Sequence, residues 1–223
     1  MKPTLPVMLS INSGYVDAAG FLALQGLFTS HVTGNFVTLG ASFALGSSGA
    51  LPKLLALPVF CAVVLVTRLV TGTMTGLPAR GLRLALAVQV GLLMAAALLA
   101  IRSGPFSDGD TLAALVTGMT LVAAMAIQNA VQRTHLGSSP PTTIMTGNTV
   151  QIMLDLADLL RGAAPDAAAL IRPRLRRMGI AVAAFASGCA AAAFAYHYGG
   201  VWCFALPPAL GLGAIALAEG PSA

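Results

Sequence analysis

The sequence predicts an all-α integral membrane protein: six transmembrane helices in a three-plus-three inverted repeat, each half carrying a discontinuous or re-entrant Thr-Gly-Asn segment. Three observations predict it. Charged residues make up only 9% of the 223 and hydrophobic ones 57%, whereas a soluble domain carries roughly 25% charged residues. Such a chain cannot cover a water-facing surface. Apolar stretches of about 20 residues, long enough to cross a bilayer core as helices, recur along it. The triplet Thr-Gly-Asn is written twice, within HVTGNFVTLG at 31–40 and IMTGNTVQIM at 144–153.

The spans fall at 5–28, 54–74, 82–101, 111–131, 178–197 and 200–218. The first is interrupted by Ser10, Asn12, Ser13 and Asp17 and preceded by a single Lys, which is not the pattern of a cleavable signal peptide. No period-two alternation supports an outer-membrane barrel. The whole of 1–223 reads as one membrane domain. The last span contains Pro207 and Pro208, which should kink it. Cys61, Cys189 and Cys203 fall inside spans without metal-ligand spacing, so each is expected to be a small buried apolar residue.

Charge sets the expected orientation. With six crossings, Lys2, Arg68, Arg80, Arg83, Arg133, Arg161, Arg172, Arg174, Arg176 and Arg177 share one side, and only Lys53 and Arg102 take the other. The positive-inside rule makes the richer side the cytoplasm and puts both termini there. The short stretches 34–46 and 147–162 are therefore expected to dip in and return, because making them cross would split the basic residues more evenly. The +5 net charge belongs to this pattern and does not point to nucleic acid.

A repeated tripeptide alone is weak evidence, but its position is informative. Thr33 and Thr146 lie 113 residues apart, about half the chain, and each triplet follows the first span of its half. Asp17-Ala18 aligns with Asn129-Ala130 after one inserted residue. Repeat one is 5–101 and repeat two 111–218. Three spans per repeat turn the second copy upside down.

Non-helical backbone is tolerated in a membrane only where it lines a cavity or packs inside protein. LFTSH and GSSPPTT, before the two triplets, read as such breaks. Thr33 and Thr146 are then expected as helix N-caps, Gly34 and Gly147 as points of close approach or unusual dihedrals, and Asn35 and Asn148 as amide donors and acceptors. Two short helices meeting by their amino ends would aim N–H groups and positive dipole ends at one midplane site. The competing reading makes both triplets packing caps.

GYVDAAGF followed by HVTGNFVTLG, with AIQNAV and TTIMTGNTVQ in the second half, resembles the YoaK-like family of bacterial inner-membrane proteins over essentially the whole chain. The resemblance implies a multi-pass protein of the bacterial inner (plasma) membrane and supplies no catalytic residues.

Asp17, near the middle of the first span, is either a proton or cation site or a hydrogen-bonded packing carboxyl. Asn129 repeats its shape without the charge, and Gln128 lies beside it, one helical turn from Gln132. His31 lies in the first break, where solvation competes with a direct role. Asp155 and Asp158 look like a solvated helix end. The favoured function is a transporter or channel for a small polar or anionic solute, with lipid as its surroundings and proton coupling at Asp17 as an option. A homo-oligomer is compatible with it. No catalytic constellation, metal cluster or cofactor motif appears, so an enzyme ranks below a non-transporting scaffold or assembly subunit.

Overall fold

The computed structural model describes residues 4–74 and 78–219, and among them every regular element is helical. The expected position of Lys2 lies outside the described residues. α1 (Leu5–Ala23) starts with Pro6 in its first turn, where the missing N–H costs nothing. It ends at a turn through Gln25 and Gly26, both at positive φ. One 3₁₀ turn (Val32–Gly34) leads into α2 (Asn35–Leu45), which Gly46 closes in the left-handed conformation. Then come α3 (Ala50–Gly72), α4 (Pro78–Ser103), α5 (Leu112–His135), α6 (Met145–Leu160) and α7 (Pro165–Gly199). A 3₁₀ stretch (Gly200–Ala205) joins α7 to α8 (Leu206–Glu219).

Among the described residues, four segments are long and apolar enough to cross a membrane: Ala50–Gly72, Ala79–Ser103, Leu112–His135 and the broken Pro165–Ala218. They are compatible with a membrane protein. The most apolar stretch of α3 is only 6% buried, so its hydrophobic face, with Leu65, Val66 and Leu69, points outward. Cys61 is exposed on this helix, contrary to the buried state expected of it.

Several boundaries move. The stretch expected as the first span is a 19-residue helix and then a fold-back, because Gln25 and Gly26 turn the chain. α7 begins 13 residues before the expected 178, since Pro165 opens a helix whose early turns dock on α6. Pro207 and Pro208 do not kink a span. They sit in the first turn of α8, after the 3₁₀ stretch has already broken the helix.

α1 lies at the centre, packed on α7 and α8, while α5 packs on α3 and α4. Tyr15, Leu121, Met125 and Phe204 are fully buried in the core, and the Tyr15 hydroxyl donates to the Cys203 carbonyl at 2.8 Å. The α1–α7 seam is pinched by two glycines. A Cβ at Gly14 would lie 2.1 Å from the Phe185 carbonyl oxygen, and one at Gly188 would lie 2.1 Å from that of Ile11. Only residues without side chains let the two backbones come so close.

After α1 the chain turns back along it. Residues 29–31 bond to Asp17, nearly two turns below the helix end, and α2 then returns so that Gly49 meets Gln25. At that end the Asp110 carboxylate accepts from the Gly49 and Leu51 amides at 2.8 and 2.9 Å. Burial pulls this carboxyl upward, but the amides of Leu51, Gly49 and Ala50, helped by Lys53, hold it below the usual aspartate range. Residues 136–144 turn back in the same way, bringing Thr142 and Thr143 to Gln128 and Asn129 on α5.

Candidate functional site: two chain breaks and the polar belt between them

The first break is organised by Asp17, which is 4% exposed. Its Oδ1 accepts from the Thr29 and Ser30 amides, both at 2.8 Å, and from the Thr29 hydroxyl at 3.2 Å. Its Oδ2 pairs with His31 Nδ1 at 2.5 Å. With Asp17 ionised, its oxygens can only accept, and His31 Nδ1 is then the donor of this contact. The His31 side chain is 32% exposed and stands edge-on to Phe185 of α7. Asp17 and His31 both line a cavity of about 700 Å³, walled by Phe21, Phe28, Phe185 and Cys189.

The second break is organised by amides and hydroxyls. Asn129 accepts from the Thr143 hydroxyl at 2.7 Å and donates to the Met125 carbonyl at 2.9 Å. Gln128, fully buried, donates to the Leu9 carbonyl at 2.8 Å and to the Thr142 hydroxyl at 3.3 Å. It accepts from Gln89 at 2.9 Å and from Asn12 at 3.3 Å. Next to Asn12 in sequence, the Ser13 hydroxyl bonds to that of Ser30 at 2.9 Å. A buried polar belt thus runs from Asp17 through Ser30, Ser13, Asn12 and Gln128 to Thr142. Two of its neighbouring buried oxygens, Asn12 Oδ1 and Gln132 Oε1, have no partner among the described residues.

The triplets hold their own breaks. Asn35 accepts from the Phe28 amide at 2.9 Å and donates to the Phe28 carbonyl at 2.7 Å. Asn148 donates to the carbonyl of Pro141, also seven residues back, at 3.0 Å. Proline has no N–H, so the other half of the clamp cannot form. Neither threonine is an N-cap. Gly34 occupies that position for α2, at the end of the 3₁₀ turn that contains Thr33. α6 begins earlier, with Ile144 as its cap, leaving Thr146 inside the first turn. Neither glycine has unusual dihedrals. Gly34 does allow close approach, since a Cβ there would lie 3.0 Å from the Phe28 ring, while Gly147 faces open space. The two triplets are not brought together as principal packing partners: α2 packs on α3 and α6 on α7.

Asp155 corrects another expectation. It is buried rather than solvated, accepting from Arg174 at 2.8 and 2.6 Å and from Gln151 at 2.7 Å. The hydrogen-bonded guanidinium holds its carboxyl below the usual range, against the effect of burial. The corresponding position of α2, 113 residues earlier, is Ser42, which bonds to Lys53 of α3 at 2.6 Å. Sequence reasoning also missed Gln89, Phe185 and the glycine pinch. The available signal for the pinch was the small-residue spacing Ser10, Gly14, Ala18 on α1 and Ala184, Gly188, Ala192 on α7.

Residues 5–218 match the model of the family described as a protein of unknown function (DUF1275), and the chain belongs to that family. No curated protein and no solved structure matches it.

Proposed function

We propose that the protein is a membrane transporter for a small polar or anionic solute, with the Asp17–His31 pair of the first break as its site and proton coupling at that pair. The observation that carries this reading is an ionisable pair, buried on the aspartate side, that borders a cavity of about 700 Å³. Intramembrane carboxylates are costly and concentrate on solute and proton paths. An imidazole changes charge closest to neutrality of any side chain. With Nδ1–H committed to Asp17, a proton gained at Nε2 turns the ring from an acceptor into a second donor. A solute anion beside it would then meet a positive charge, which links its binding to protonation.

The inverted repeat belongs to the same reading, and packing supports it. Exchanging α1 with α5, α2 with α6, α3 with α7 and α4 with α8 turns the α1–α7 contact into α3–α5. The same exchange turns α4–α5 into α1–α8 and α2–α3 into α6–α7. α2 and α6 then act as re-entrant helices of opposite halves, with both termini cytoplasmic by the basic-residue bias. Since the asparagine amides of both triplets are engaged locally, the solute site is assigned to the first break rather than to a meeting of the two. Family membership adds no substrate. The YoaK-like resemblance adds the expectation of a bacterial inner membrane.

The test begins with a thermal-shift panel of small anions and neutral solutes on purified wild-type and Asp17→Asn protein. A solute that stabilises both, the wild-type protein more strongly, is carried into proteoliposome uptake. Uptake above protein-free vesicles is the expected result. A binding solute that is never taken up overturns transport and leaves the scaffold reading.

A further inference from the structure

The second large cavity lies on the α1–α7 seam, on the far side of the Gly14–Gly188 pinch from Asp17. It measures about 750 Å³ and lies between the start of α1, the second break and the early turns of α7. Its polar lining residues are Arg176, Arg177, Thr4 and Ser139, and its apolar walls include Pro6 and Ile180. None of its lining residues is acidic.

We infer that this cavity binds the phosphate headgroup of an anionic phospholipid. Guanidinium groups present flat forks of donors that match phosphate oxygens, and the hydroxyls add donors of their own. A free anion would gain nothing from the apolar walls, whereas a lipid lays its glycerol and upper acyl carbons against them. Two adjacent cationic side chains just before the apolar part of α7 begins meet an anionic membrane surface favourably. The bound headgroup touches Ser139, whose carbonyl accepts from Gln132 on α5. Lipid binding therefore bears directly on the second break and its buried belt.

The test uses the full chain in detergent, titrated with dioleoyl phosphatidylglycerol, dioleoyl phosphatidylcholine or inorganic phosphate while the melting midpoint is followed. Phosphatidylglycerol well above its dissociation constant should raise the midpoint by about 5 °C relative to phosphatidylcholine. R176Q/R177Q should abolish that difference. R172Q, which removes the same kind of charge outside the cavity, should keep it. R177Q alone should weaken it, and this variant decides the matter if the double one folds poorly. An equal shift with inorganic phosphate overturns the lipid source. No excess over phosphatidylcholine, or an equal loss in R172Q, overturns the site.

Discussion

The two chain breaks solve one structural problem with different chemistry. In each, an asparagine holds a backbone carbonyl seven residues back, and a residue seven further on meets a basic side chain of the next long helix. In each, a polar residue of the preceding helix receives the returning chain. That residue is Asp17, paired with His31, in the first break, and Asn129, bonded to Thr143, in the second. The second break shows that a neutral amide suffices to hold such a turn. The carboxylate of the first therefore exceeds what folding requires, and its cost marks the half in which function is proposed.

The largest expected effect separates the two receiving residues. Asp17→Ala strands the buried amides of Thr29 and Ser30 and should cost about 3 kcal/mol, each unsatisfied group contributing about 1–3 kcal/mol. Asn129→Ala removes the Thr143 hydroxyl bond and a donation to the Met125 carbonyl, strands no backbone amide, and should cost about 1 kcal/mol. Chemical denaturation in detergent measures both, and equal losses would break the comparison.

A smaller effect separates the clamps. Asn35→Ala removes two bonds to Phe28 and should cost about 2 kcal/mol, while Asn148→Ala removes its single bond to a backbone group and should cost about 1 kcal/mol. The reverse order would mean that the second triplet bears more of the load than its geometry indicates.

The glycines should differ in sign. Gly147→Ala adds a methyl in open space within a helix and should stabilise by about 0.5–1 kcal/mol. Gly34→Ala must push the Phe28 ring aside and should be neutral or destabilising by about 1 kcal/mol.

The smallest effect concerns pH. Because Asp155 is depressed, its contribution is complete above the ordinary aspartate value of about 3.9 and is lost only as pH falls through the lower folded value. Stability supplied by the α6–α7 contact should therefore be flat from about pH 8 to 5. A drop within that window that Arg174→Gln abolishes would contradict the pairing.

Much of this was legible in the sequence because composition and hydrophobic length act over whole segments. The apolar helices, the two breaks and the polar residues at 17, 31, 128 and 129 needed no tertiary knowledge. The N-caps were misread because a capping threonine has the same local sequence as one in a 3₁₀ turn, like Thr33, or one already inside a helix, like Thr146, and only the path of the preceding chain separates them. Asp155 was misread because its partner Arg174 is 19 residues away on another helix, and periodicity carries no pairing information. The position of Gln89 in the belt depends on how α4 rotates against α5, which packing alone decides.

The measurement that tests the central claim most directly is paired uptake on one purified sample of Asp17→Asn, using the solute selected by thermal shift. Asparagine keeps the shape: its oxygen can still accept from the Thr29 and Ser30 amides, and its amide can donate to a neutral His31 Nδ1. Folding should survive, and size-exclusion chromatography checks that it does. Accumulation driven by a pH gradient should fall to the level of protein-free vesicles while downhill counterflow persists, because the carboxylate that balances a charged His31 has been removed and the shape of the site has not. Full gradient-driven accumulation in Asp17→Asn would contradict the coupling role and reduce the first break to a second structural turn.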